Sequence, residues 1–223
     1  KIDGSLVDFN RAGVPLIEIV SEPDIRSSQE AYAYLVALKE VIRFVGYSRC
    51  DMEKGEMRCD ANISVRPAGQ AALGTRAEIK NLNSFKNVKD AIDYEFHRQV
   101  ELIESGGKVV QETRLWNMEK QVTVSMRSKE EAHDYRYFPD PDLVPLVADD
   151  AWVSAVRSAM IERPAAKRAR FIAEWGLSSY DADVLTGDRE LADLFEKAAA
   201  AAPKTAVKIV ANILSTEMLG RLN

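Results

Sequence analysis

The clearest pattern in the chain begins at Met57. Met57, Cys59, Ala61, Ile63 and Val65 are apolar, and they alternate with Arg58, Asp60, Asn62, Ser64 and Arg66. Side chains on a strand point to opposite faces in turn, so this is a half-buried strand with one polar face. A second alternation sets Ala77 and Ile79 against Arg76, Glu78 and Lys80. The Pro/Gly-containing stretch between them predicts a hairpin. Directly opposed residues of an antiparallel pair share a face. Pairing Arg66 with Gly74 sets Asp60 opposite Lys80 and Asn62 opposite Glu78. A one-residue slip would drive a polar row into the core, which burial forbids.

Before this hairpin, residues 6–20 predict extended segments broken at Gly13 and Pro15, the second buried on both faces and interrupted by Glu18. Ser27, with Glu30 three residues on, opens a helix. Its core face is Ala31, Leu35, Leu38, Ile42 and Val45, and Gly46 stops it. After the hairpin, Ser84 caps a helix whose predicted inner face is Phe85, Val88, Ile92, Phe96, Val100 and Ile103. Residues 109–116 and 121–127 predict another hairpin, which carries Arg114 and Arg127. Residues 127–146 then combine charge, aromatic rings, His133 and three prolines, a composition suited to a loop that covers a site or connects domains. From Asp149 only helical periodicity remains. The chain therefore divides into residues 1–147, mixed α and β, and residues 148–223, all helical.

Composition narrows the function classes. The 223 residues are 46% hydrophobic and 29% charged, with a net charge of −5. That balance gives no global attraction to nucleic acid, so any RNA contact must come from a local patch. No apolar run approaches the roughly 20 residues of a spanning helix, and a cytoplasmic protein without membrane contact is expected, or an organellar one in a eukaryote. Cys50 and Cys59 form no ligand motif and are expected to stay reduced. His97 and His133 make no zinc signature.

The chemistry worth weighing lies on the polar face of the central hairpin. Two carboxylates, Asp60 and Glu78, share it with Arg58, Arg66, Arg76, Lys80 and Asn62. A solvated mixed-charge face, part of a non-catalytic RNA-binding or assembly module, is one reading. A Mg²⁺ and phosphate site is the other, because a hard cation takes carboxylate oxygens and phosphates take Arg and Lys. Spacing alone does not choose between them.

Five stretches resemble the GatB/GatE family of tRNA-dependent amidotransferase subunits: LVDFNRAGVPLIEIVSEPDIRS, MRCDANISVRP, RAEIKNLNSF, QETRLW and DYRYFPDPDLVPL. They lie in the family's order across most of residues 6–146, and YDADVLT near 180–186 is similar to the family's middle domain. The resemblance implies an α+β fold: an antiparallel-sheet cradle related to glutamine synthetase and guanido kinases, present in part, followed by an all-α domain. It implies ATP- and Mg²⁺-dependent phosphorylation of the side-chain carboxylate of Glu-tRNA(Gln) or Asp-tRNA(Asn). Amidation follows, with ammonia that the GatA subunit releases from glutamine, while GatC joins the subunits. Family metal ligands fall on Asp60 and Glu78. Lys80, Arg114 and Arg127 are then the expected catalytic cations, and Arg58, Asn62 and Arg76 the expected nucleotide contacts. The resemblance also implies N-terminal His and Glu ligands and a tRNA-binding tail that this stretch does not carry.

Overall fold

The computed structural model describes residues 6–10, 13–128 and 143–218. Helix α1 (Ser28–Phe44) leads to strands β1 (Ala61–Ile63) and β2 (Ala77–Lys80), then helix α2 (Phe85–Glu104) and strands β3 (Glu112–Asn117) and β4 (Val122–Ser128). Helices α3 (Asp150–Ala159), α4 (Pro164–Trp175), α5 (Ser179–Thr186), α6 (Arg189–Ala201) and α7 (Val207–Asn212) follow, and a π-helical turn spans Ile213–Met218. The protein is thus α+β. Among the described residues every regular element after Ser128 is helical. No helix there is long and apolar enough to cross a membrane.

The strands form one sheet in the order β1-β2-β3-β4. β1 and β2 are antiparallel, with Ala61 opposite Ile79, Asn62 opposite Glu78 and Ile63 opposite Ala77. This is the register that the alternation predicts. Beyond β1, Gly74 approaches Val65 so closely that a β-carbon there would sit 2.1 Å from the Val65 carbonyl oxygen. The expected purely antiparallel sheet needs correction, because β2 and β3 run parallel. Parallel neighbours need a long crossover, and α2 supplies it. β3 and β4 form the expected antiparallel hairpin.

Each main helix begins as its sequence directs. The hydroxyls of Ser27 and Ser84 accept from the backbone N–H groups of Glu30 and Asn87, caps that contribute about 1 kcal/mol each. The inner face of α2 differs in part from expectation. Val88 is buried as expected, and Phe85 and Ile92 pack partly buried against the core, but the other buried residues are Ala91, Glu95 and Gln99, while Phe96 is 46% exposed. The extended stretch 13–20 also departs from its reading. It is exposed, and none of the strands pairs with it. An apolar run signals burial only where neighbours reach it, and no described strand does.

Two hydrophobic cores result. Leu35, Ala61, Ile79, Leu82, Val88, Ala91 and Trp116 pack between the sheet and helices α1 and α2. Phe44 packs with residues of α4 to α7, including Phe171, Leu185 and Phe195. The Phe171, Trp175 and Phe195 rings lie 4.9 Å apart, centroid to centroid. Helix α1 therefore serves both cores, Leu35 in one and Phe44 in the other. An ion pair reinforces its far end, with Arg168 Nη2 2.5 Å from Glu40 Oε1.

Candidate functional site

Ala61 and Ile79 point into the core, so their neighbours in sequence point away from it. That alternation brings Asp60, Asn62, Glu78 and Lys80 to one face. Lys80 Nζ lies 2.6 Å from Asp60 Oδ2 and 3.2 Å from Glu78 Oε1. The two carboxylates thus converge on one point, occupied by the ammonium. Partial burial pulls the Lys80 pKa down, but hydrogen bonds from its ammonium to Asp60 and Glu78 outweigh this and leave it raised. The lysine stays charged.

The parallel ladder adds a residue that the alternation did not single out. Thr113 pairs with Glu78 in register, and its Oγ1 donates to Glu78 Oε2 at 2.9 Å. Beside them a cavity of about 140 Å³ is lined by Asn62, Arg76, Glu78, Gln111, Glu112 and Thr113. Arg58 and Arg76 are exposed, and neither makes an ion pair with a described residue.

Arg114 stands elsewhere. It alternates with Thr113 and shares its parity with buried Trp116, so it leaves β3 on the helix side. It is 9% exposed. Its Nε donates to Thr123 Oγ1 at 2.8 Å, its Nη2 to the Thr123 carbonyl at 2.9 Å, and its Nη1 to Glu112. Nε also lies 3.3 Å from Glu95 Oε2. The expectation that Arg114 faces phosphate from a polar strand row is corrected accordingly, since its guanidinium is engaged under the sheet. Arg127 pairs with Thr113 through the β4 backbone, and its side chain lies outside the described residues, as do His133 and the loop 129–142.

Glu95 escaped the sequence reading. It is fully buried, and its oxygens accept from Arg98 Nε at 2.9 Å, Gln99 Nε2 at 2.9 Å and Thr123 Oγ1 at 2.8 Å. Burial raises its pKa, but the bonds from Arg98, Gln99 and Thr123 prevail and leave it lowered. A buried carboxylate needs such partners. The one available signal was its spacing, seven residues from Val88 and four from Ala91. Both cysteines are free, and burial pushes the Cys59 thiol up to about 11, which makes it a poor thiolate ligand or nucleophile.

The donor set suits a hard cation: two carboxylate oxygens aimed at one point, with an amide beside them. Among the described residues no third His, Cys, Asp or Glu gathers with them. Asp60 and Glu78 are thus the two carboxylates among the described residues that could hold such a cation.

Comparison with known proteins places the chain in a family. The sequence model of the GatB/GatE catalytic domain matches residues 1–154. The chain is 56% identical over 219 residues to the B subunit of aspartyl/glutamyl-tRNA(Asn/Gln) amidotransferase from Carboxydothermus hydrogenoformans, covering 98% of this chain and 45% of that protein. It is 54% identical over 221 residues to the protein of the same name from Caldanaerobacter subterraneus subsp. tengcongensis, covering 99% and 46%. For that of Burkholderia cenocepacia the figures are 56% over 217 residues, 97% and 44%. The chain spans about half the length of the curated relatives it matches. With residues 1–154 matched by its catalytic-domain model and more than half of the aligned positions identical to its members, the chain belongs to the GatB/GatE family.

Proposed function

We propose that this chain is part of the subunit of a tRNA-dependent amidotransferase that activates Glu-tRNA(Gln) or Asp-tRNA(Asn) with ATP and Mg²⁺. The observation that carries the reading is the convergence of Asp60 and Glu78 on the Lys80 ammonium. A carboxylate does not lose oxide to ammonia, so the side chain must first gain a leaving group. In phosphoryl transfer the bond from the γ-phosphorus to ADP breaks as one forms to the substrate carboxylate. Ammonia then displaces phosphate. Asp60 and Glu78 would hold Mg²⁺, which when bound neutralises phosphate oxygens.

The chain's own groups do the rest. Lys80, and Arg127 from β4, carry charge that develops on the transferred group. Arg58, Asn62 and Arg76 hold the nucleotide from the exposed face beside the cavity. Arg114 acts beneath the sheet, keeping β3 in place. GatA and GatC are the partner subunits, GatA being the source of ammonia. Residues 1–147 are read as the later part of a glutamine synthetase-like cradle and 148–223 as a helical domain, in a protein of the cytoplasm.

Asp60→Asn in the full-length subunit, assembled with its partners, tests the reading. Asn keeps the shape but removes the charge that a hard cation requires. ADP formation with misacylated tRNA should be lost, while glutamate release from glutamine continues. Near-normal ADP formation would shift the reading to a non-catalytic RNA-binding or assembly module.

A further inference from the structure

Glu78 has two carboxylate oxygens in different surroundings. Oε2 accepts from the Thr113 hydroxyl at 2.9 Å, and Oε1 lies 3.2 Å from Lys80 Nζ, the atom that also meets Asp60. The carboxylate is therefore turned with one oxygen toward β3 and the other toward the Lys80 ammonium that Asp60 shares. The terminal torsion of a glutamate is a broad, roughly two-fold rotor, so a directional donor on one oxygen decides where the other points. Thr113 can act as that donor because its own place is fixed. It is buried, and its neighbour Arg114 is tied to Thr123 and Glu112 beneath the sheet. The β3/β4 register shifts by one residue between Thr113 and Arg114, which leaves Met126 without an opposite partner. Bulges of this kind re-aim side chains.

We propose that Thr113 is a positioning residue for Glu78, fixing its carboxylate so that one oxygen faces the point that Asp60 shares and the pair takes a divalent cation in one geometry. The proposal rests on the reading of Asp60 and Glu78 as cation ligands. Hydrogen-bond partners of this kind typically change metal affinity 10–100-fold when removed.

The test uses the full-length subunit in its complex and Mn²⁺ alone as the probe, an ion that suits oxygen ligands. Binding is read from the loss of the free-ion electron paramagnetic resonance signal. Thr113→Val keeps the shape and removes the donor; Thr113→Ser keeps the donor and removes a methyl. The Mn²⁺ dissociation constant should rise about tenfold or more in the Val variant and stay within about twofold in the Ser variant. Half-saturating Mg²⁺ for ADP formation should shift with it, and KM for misacylated tRNA should hold. A Val variant that binds Mn²⁺ like the wild type overturns the proposal. A Ser variant weakened as much as the Val variant does so too, because packing would then be the cause. Asp60→Asn and Glu78→Gln, measured alongside, separate the two readings. If they abolish binding while Thr113→Val does not change it, Thr113 alone loses its role. If they leave binding unchanged, the cation reading itself fails.

Discussion

Thr113 and Arg114 are adjacent on β3 and face opposite sides of the sheet. Thr113 meets Glu78 on the outer face. Arg114 meets Thr123 and Glu95 on the side packed against α2. One peptide unit thus links the candidate cation face to a buried ion network, and changes on either side are expected to have distinct signatures.

Arg114→Lys should lower stability before it touches chemistry. A lysine cannot reproduce the guanidinium fork that reaches both the hydroxyl and the carbonyl of Thr123. Breaking a buried pair typically costs about 3–5 kcal/mol, and a retained charge should reduce that to about 2 kcal/mol. Urea denaturation of the full-length subunit measures it. A variant of unchanged stability but reduced ADP formation would return Arg114 to direct phosphate binding.

Lys80→Met should show the reverse. The lysine and Asp60 side chains are 37% and 47% exposed, so their pairing adds less than about 1 kcal/mol to folding. Loss of a cation beside transferred phosphoryl charge typically costs about 10²–10³ in rate. ADP formation should fall by at least about 100-fold with the denaturation midpoint nearly unmoved. A stable variant with near-normal ADP formation would take Lys80 out of the mechanism.

Glu95 gives a pH prediction with a definite sign. Its pKa is lowered in the folded state from an ordinary value of 4.5. The stability it contributes is therefore present above the unfolded-state value and lost as pH falls through the folded one. Glu95→Gln should destabilise the protein at pH 7, leaving Arg98 without its carboxylate and Arg114 with Glu112 as its one carboxylate partner among the described residues. The gap from wild type should narrow as pH drops below about 4.5. A gap that is flat from pH 7 to pH 3 would mean that packing, rather than charge, accounts for it.

Phe44→Ala should destabilise the helical core by about 3–5 kcal/mol, the usual cost of emptying a buried phenylalanine site. Leu35→Ala should weaken the sheet core by about 2–5 kcal/mol. Because both residues lie on α1, each variant should also reduce amide protection in the part of that helix that packs against the other core. Hydrogen exchange confined to one part would show that the two cores are independent.

The β1/β2 register was legible because a period of two leaves burial a single choice. The parallel contact of β2 with β3 was not, since it joins residues about 35 apart in sequence and no local pattern encodes it. The N-terminal half of the α2 face follows its apolar spacing at Phe85, Val88 and Ile92, whereas farther along Phe96 is exposed and size alone does not place a residue inward. Glu95 and Gln99 take the inward positions there instead. Gln99 Nε2 and Thr123 Oγ1 donate to the Glu95 carboxylate, and Gln99 Nε2 also donates to the Ile63 carbonyl. Gln99 Oε1 is buried without a hydrogen-bond partner among the described residues. Arg114 could have been placed from the alternation itself, by its parity with Trp116. The convergence of Asp60 and Glu78 followed from the register, whereas the hydroxyl that orients Glu78 depended on the long-range pairing.

Helix α1 behaves as a lever with one load at its middle, Leu35, and the other at its C-terminal end, Phe44. Leu35 and Phe44 are nine residues apart, about 13 Å along the axis of a rigid rod. A tilt of about 5° at Leu35 therefore carries Phe44 sideways by about 1 Å, which is enough to disturb close-packed aromatic rings. Phe44 sits among the bundle's aromatic rings and Arg168 holds Glu40, so a swing of the bundle draws on α1 itself. Such a swing would carry α1 with it, shifting the packing behind β1 and β2, or bend the rod between Leu35 and Phe44. A rotation of the bundle would thus reach, through Leu35, the core behind the strands that present Asp60 and Glu78.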